Sequence, residues 1–208
     1  MRQFEIVLFG ATGVTGANTA HYIAKNYPTL KWAIAGRNPS KLKDLLSKLP
    51  SAPDIVIADS SDPVSLEALT CQTKVVISTV GPFALYGEPL VAACVKTKTH
   101  YIDSTGETNF VMKIIQKYHE QASLDKTFVV PCCGFDCVPS DLGAFIAVYD
   151  FKKRGLTADA VHLAVMDASG GISGGTIASG MEMFESDPKE RKMVMNPYCL
   201  VDDNGKIF

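Results

Sequence analysis

The stretch EIVLFGATGVTGANTA, residues 5–20, limits the folds open to this chain more than any other segment. Ile6, Val7, Leu8 and Phe9 form an unbroken apolar run, which a parallel strand needs when both of its faces are covered. Gly10, Gly13 and Gly16 follow at three-residue intervals. A residue without Cβ lets the chain turn off the strand, lets a phosphate approach the backbone and lets the next helix pack close to the sheet. A helix beginning here presents free N–H groups and the positive end of its dipole to whatever occupies the turn. The spacing is GxxGxxG rather than the commoner GxGxxG, and a tight β–α turn that binds nothing is the competing reading. A strand directly before and a helix directly after favour a dinucleotide pyrophosphate held by Gly10, Thr12, Gly13, Val14, Thr15 and Gly16.

Strands and helices then alternate. Residues 14–26 read as a helix, with Val14, Ala17, Tyr22 and Ala24 among its less polar positions. Residues 31–35 form a second strand, 40–49 a helix with Leu42, Leu45, Leu46 and Leu49 on one side, and 54–58 a third strand. Strands at 74–79, 100–103 and 127–130 follow, separated by helices at 88–96 and 108–123. Such alternation implies an α/β fold, a doubly wound parallel sheet of the Rossmann type, with right-handed crossovers.

The carboxyl ends of the strands hold the informative residues. At the end of the second strand of such folds, a carboxylate meets the free 2′-hydroxyl of the adenosine ribose, whereas an Arg accommodates a 2′-phosphate. Here Arg37 stands about 20 residues past Gly16 with no acid beside it, which favours NADP over NAD. Its guanidinium suits a phosphate clamp, and Lys41 on the next helix adds a point charge. An exposed Arg without a ligand is the alternative. Asp59, after the third strand, is placed either to meet an adenine amino group or to cap the helix that DPVSLEAL suggests. After the fourth strand, Thr79, Val80, Gly81 and Pro82 would pass beneath the ribose and nicotinamide, unless they form an ordinary β–α turn.

No proton donor stands out. Asp103, Ser104 and Glu107 after the fifth strand, Asp136 after the sixth and Tyr86 after the fourth are the candidates, each with a structural alternative such as helix capping. Tyr149 and Lys153 form a YxxxK of the kind used by short-chain dehydrogenases, but such a pair arises readily by chance and this one lies near a helix end beside a charged run.

Composition excludes several classes. With 47% hydrophobic and 20% charged residues over 208 positions, the chain can bury a sizeable core. A net charge of −2, with scattered Lys and Arg, carries no footprint for nucleic acid. No apolar run reaches the roughly 20 residues that cross a bilayer, nor does the start fit a signal peptide. The expectation is a cytoplasmic protein, with peripheral membrane association left open. Six cysteines, at 71, 94, 132, 133, 137 and 199, lack CxxC pairing or a nearby His at ligand spacing, so no metal site is expected. They read as buried reduced thiols acting as small apolar residues, with the cluster PCCGFDC as the open case.

The chain changes character near residue 155. Residues 139–153 read as a helix ending in KKRG, and AVHLAVM at 160–166 alternates like a strand. ASGGISGGTIASG then runs into a helix through Met183 and Phe184; it is either a second anion-binding turn or a flexible loop before a tight helix start. Asp203, Asn204 and Gly205 suggest a hairpin turn with too short a return strand. The expected organisation is a Rossmann domain over 1–154 and, over 155–208, the beginning of a second substrate or dimerisation domain, incomplete here or completed by a partner.

Six segments carry a resemblance: GATGVTG at 10–16, AGRNPSKL at 35–42, STVGPFALYGEPLVAAC at 78–94, HYIDSTGE at 100–107, PCCGFDCVPSDLGA at 131–144 and SGGISGGTIAS at 169–179. Together they resemble the saccharopine dehydrogenase-like oxidoreductases, which include trans-acting enoyl reductase-like members. The resemblance implies a Rossmann domain for a nicotinamide cofactor, and a second mixed α/β domain through which a homodimer would form and the substrate be covered. It also implies chains about twice this length, of which this would be the N-terminal half. Saccharopine itself would call for convergent Arg and Lys, yet GPFALYGE, DSTGE and CCGFDCVPSD contain neither. The expectation is NADP-dependent hydride transfer to or from a small or lipid-like substrate; the alternative is an NADP-binding scaffold or redox sensor without turnover.

Overall fold

A computed structural model describes residues 2–201 apart from 168, 170, 172, 173, 186 and 197. The hairpin expected at Asp203, Asn204 and Gly205, and Gly170 of the glycine-rich run, lie outside the described residues. Six strands form one parallel sheet: β1 (Phe4–Phe9), β2 (Trp32–Gly36), β3 (Asp54–Ile57), β4 (Thr73–Ser78), β5 (His100–Asp103) and β6 (Val129–Val130). Their order is β3-β2-β1-β4-β5-β6, which puts the reversal of strand order between β1 and β4. The register sets Phe9 beside Ala35 on one side and Ser78 on the other, so the turns after β1, β2 and β4 open at one edge.

Helices α1 (Val14–Asn26) and α2 (Pro39–Leu46) cover one face; α3 (Pro63–Gln72), α5 (Glu88–Thr97) and α6 (Thr108–Asp125) cover the other. The strands alternate accordingly. Leu8 and Ile34 pack with Ala20, Ile23, Leu42 and Leu45, whereas Val7, Phe9, Ala33 and Ala35 join Leu66, Leu69, Leu90 and Phe110. Ion pairs from Glu88 to Lys113 and Lys117, both 2.6 Å, tie α5 to α6 and hold the Glu88 carboxyl down at about 2. The short α4 (Phe83–Tyr86) follows β4 directly.

The buried face of α1 consists of Gly16, Ala20, Ile23 and Ala24; Val14 is 68% exposed and Tyr22 also points outward. The small side chains lie against the sheet because α1 packs close to β1. Several sequence expectations need correction. Among the cysteines only Cys94 is buried; Cys71 and Cys133 are exposed, since neither position faces the core. No strand forms over 160–166, which runs without regular structure and places Leu163 near Gly143 of α7 (Val138–Lys153). Val161, Leu163 and Val165 stay exposed, so their alternation marks no buried sheet face. The KKRG ending does stop α7: Gly155 adopts a left-handed φ of 71°, and the Leu156 N–H reaches back to the Phe151 carbonyl at 2.9 Å. Helices α8 (Gly174–Glu185) and α9 (Pro188–Val194) complete the described elements.

Candidate functional site: a cleft at the reversal of strand order

Two cavities meet at the carboxyl edge of the sheet. One, of about 430 Å³, is lined by the β1–α1 turn from Gly10 to Thr15, by Gly36 and Arg37 after β2, by Asp59 after β3, and by Thr79 to Gly81 and Tyr86 beyond β4. The other, of about 710 Å³, lies beside it and shares Val14, Thr15, Thr79, Gly81 and Gly175. The strand register explains the convergence, since the C-terminal ends of β1, β2, β3 and β4 are adjacent.

The three glycines of the first turn do different work. Gly10 has a φ of 86°, and a Cβ there would lie 2.7 Å from Val80 Cγ2. A Cβ on Gly16 would lie 2.2 Å from the Gly10 carbonyl oxygen, so this glycine sets how closely α1 approaches the strand. A Cβ on Gly13 would make an ordinary contact 3.5 Å from the Gly10 carbonyl oxygen, so packing within the protein does not require glycine there. Thr79 closes the floor. Its N–H donates to the Phe9 carbonyl at 3.0 Å, and its hydroxyl to the Phe9 and Gly10 carbonyls at 3.2 Å each.

The helix starts separate binding from packing. Asn38 caps α2 by accepting the Lys41 N–H at 3.0 Å, and Asp62 caps α3 by accepting the Val64 N–H at 3.0 Å. Helix α1 starts at Gly13 with no side-chain cap and no acid in its first turn. Gly13, Val14 and Thr15 at its start line the cavity, and an uncapped helix start is a suitable seat for an anion. Arg37 lines the same cavity and takes part in none of the ion pairs among the described residues. Lys41 is exposed on the first turn of α2, and neither it nor Pro82 belongs to the cavity lining.

Of the two roles open to Asp59, capping falls to Asp62 instead. The Asp59 carboxylate accepts the Ser61 N–H at 2.9 Å and hydroxyl at 2.8 Å, and these bonds, with the nearby Arg37 charge, hold it below the usual carboxylate range. Asp103 is 1% exposed and lines neither cavity. It accepts the Tyr101 hydroxyl at 2.8 Å and the Thr105 and Cys132 N–H groups at 3.0 Å each. Burial raises its carboxyl above the ordinary value against those hydrogen bonds. Glu107 and Asp136 line the larger cavity, and Tyr86 the smaller. Tyr149 and Lys153 lie on exposed α7, the ammonium 4.5 Å from the ring centre, away from both linings. In the cysteine cluster, burial pushes Cys132 up to about 12, which keeps that thiol protonated.

Sequence reasoning missed Gly36, Ser60 and the position of α8. Gly174 and Gly175 line the smaller cavity, and Ser179 lines the larger. The glycine-rich run hinted at this, although nothing in it identified which cavity it would reach.

The family model described as saccharopine dehydrogenase NADP binding domain matches residues 6–130. The chain belongs to this family. The match covers β1 through β6, and NADP is the cofactor that the family's domain binds, as the Arg37 position favours. The trans-acting enoyl reductase of Mycobacterium tuberculosis (strain H37Rv) is 39% identical over 216 residues, covering 98% of this chain and 51% of the relative. The trans-acting enoyl reductase of Mycobacterium ulcerans is 40% identical over 217 residues, again covering 98% and 51%. The chain thus spans about half the length of the curated relatives it matches. Among solved structures, apo saccharopine dehydrogenase (L-Glu forming) of Saccharomyces cerevisiae superposes with a TM-score of 0.58 at 18% identity, over 73% of this chain and 32% of that one. Pen from Bacillus thuringiensis gives 0.52 at 10% identity, over 62% and 50%. Both show the fold alone. The site residues fit the family's cofactor: an uncapped helix start, a turn lined by Gly10 and Gly13 and a cation outside the ion pairs among the described residues. None of the described helices is long and apolar enough to cross a membrane.

Proposed function

We propose that the chain carries the cofactor half of an NADP-dependent oxidoreductase that reduces an uncharged, lipid-like substrate. The observation that carries this reading is the pairing of the two cavities through Val14, Thr15, Thr79, Gly81 and Gly175, one lined by the dinucleotide turn and one beside it. When bound, NADPH supplies the hydride. The amides at the start of α1 would hold the pyrophosphate, Arg37 the 2′-phosphate with Lys41 adding charge, and Asp59 would face the adenine. Thr79, Val80, Gly81 and Pro82 would carry the nicotinamide end.

The larger cavity favours a substrate without carboxylates. Its described lining contains Glu107, Asp136 and Glu182 but no Lys, Arg or His. Three carboxylates would repel an amino-dicarboxylate by the like-charge argument that favours an uncharged ligand. The names of the mycobacterial relatives agree with an unsaturated acyl substrate. Since the carboxylates of Asp103 and Glu107 already accept hydrogen bonds, proton delivery is assigned to Tyr86 or Asp136. Residues from 155 onward are assigned to a second, substrate-covering domain. Exposed Leu156, Val161, Leu163 and Val165 support that assignment, because apolar side chains in such a run call for a partner surface.

The test is a titration of the chain with NADPH and NADH, followed by NADPH consumption with α,β-unsaturated acyl thioesters and with amino-dicarboxylate imines. Tighter NADPH binding and turnover of the acyl thioesters are expected. Binding without turnover of any acceptor would leave the non-catalytic NADP scaffold as the better reading, and turnover of the imines alone would overturn the substrate class.

A further inference from the structure

Glu107 stands at the N-cap position of α6 but does not cap its own helix. Its side chain instead reaches α4, across 23 and 24 positions of sequence. Oε1 accepts the Phe83 N–H at 2.9 Å and Oε2 accepts the Ala84 N–H at 2.7 Å. Those are the first amides of α4, a helix whose own N-cap, Pro82, supplies no side-chain acceptor. Oε1 also accepts the Ser179 hydroxyl of α8 at 2.7 Å. The Thr105 hydroxyl in turn accepts the Glu107 N–H at 3.0 Å, which fixes where the side chain starts. One carboxylate therefore joins the turn after β4, the loop after β5 and α8, three of the elements that wall the larger cavity.

We infer that Glu107 is a positioning residue: it holds the Gly81–Ala84 turn in the shape that receives the nicotinamide half of NADP and seats α8 over the same cleft. This rests on the cofactor placement proposed above. The bidentate arrangement carries the inference, because two backbone donors and a hydroxyl converge on an anion that no ion pair among the described residues neutralises. Charge-assisted bonds to backbone amides are the stronger kind and hold a turn in one conformation. The side-chain hydrogen bonds of Glu107 among the described residues go to Phe83, Ala84 and Ser179, and none goes to the adenosine half of the cleft, built from Gly10 to Thr15 and Arg37. Glu107→Gln leaves one acceptor oxygen for two amides and sets an amide NH2 against the other.

The test compares two ligands by calorimetry on the whole chain: NADPH, which spans both halves of the cleft, and 2′,5′-ADP, which occupies only the adenosine half. Glu107→Gln is expected to weaken NADPH about 10-fold while 2′,5′-ADP stays within about 2-fold. Ser179→Ala, which leaves both amides their acceptors, is expected to bind both ligands within about 2-fold of wild type but to lose the NADPH-dependent slowing of amide hydrogen exchange in α8. Equal weakening of both ligands by Glu107→Gln means general unfolding of the site and overturns the inference, as do wild-type affinities for both. If the unaltered chain binds 2′,5′-ADP but not NADPH, the cofactor placement itself falls. Should Glu107→Gln not fold, unchanged α8 exchange in Ser179→Ala suffices to overturn the seating of α8.

Discussion

Between Phe4 and Ala122 lie all the buried apolar side chains of the described core, whereas α7, which begins at Val138, buries none of its sixteen residues. The two regions use similar residue types. Leu66, Leu90 and Phe110 are covered by the sheet; Leu142, Phe145 and Ile146 of α7 lie bare, the last two at 62% exposure. Phe128 and Val130, at the outer edge of the sheet, are exposed as well. The difference teaches that apolar content alone does not say where stability resides. The sheet and its helices supply their own enclosure and so hold the cofactor cleft rigid, while the later helices contribute walls to that cleft through a few polar contacts such as Ser179 to Glu107.

The comparison breaks first at the level of single side chains. Leu66→Ala should cost about 2–5 kcal/mol by removing buried methyl groups and leaving a cavity, whereas Ile146→Ala on α7 should change stability by no more than about 0.5 kcal/mol. Urea unfolding of the two variants decides it, and a similar loss at both positions would mean that α7 is covered in solution. Glycines sharpen the same contrast. A Cβ at Gly16 strikes the Gly10 carbonyl, so Gly16→Ala should cost about 1–3 kcal/mol; at Gly180 of α8 nothing lies within 4 Å, and Gly180→Ala should be neutral or stabilise by up to about 1 kcal/mol. Thermal melts of both variants show whether α8 has the open surroundings described.

A smaller effect concerns pH. The Asp103 carboxyl is raised in the folded chain, so the folded state binds its proton more tightly than the unfolded one. Its contribution is complete below the unfolded value of about 3.9 and is lost as pH rises through the folded value. Asp103→Asn keeps the oxygen that accepts from Thr105 and Cys132, and its NH2 can donate to the Tyr101 hydroxyl. The variant should fold and show a flatter dependence of urea midpoint on pH above about 4; an unchanged slope would contradict the assignment.

Much of the ordered region was legible from local pattern. The apolar runs at β1 and β5 and the helix end at KKRG each act through neighbours in sequence, and residues 100–103 match the observed strand bounds, whereas the cap of α3 was sought at Asp59 and is Asp62. The strand expected at 160–166 failed because pairing is decided by what lies alongside, which alternation cannot report. Which side of α1 is buried was not legible from its less polar positions either: small residues are needed for close approach, so the larger Val14 and Tyr22 lie outward. Within the site, the place of Arg37 after β2 put it in the cavity lining. The second use of Glu107 was not, because its partners are the backbone amides of Phe83 and Ala84 and a hydroxyl far along the chain, and backbone donors carry no residue signature.

The central claim is that the cleft between β1 and β4 takes NADP and that Arg37 reads its 2′-phosphate. Binding of NADPH and NADH to the unaltered chain and to Arg37→Ala tests this most directly. Loss of a charge-assisted phosphate contact of about 1.5–3 kcal/mol should weaken NADPH by roughly 10- to 100-fold and leave NADH within about 2-fold. Equal weakening of the two cofactors, or no change in either, would contradict it.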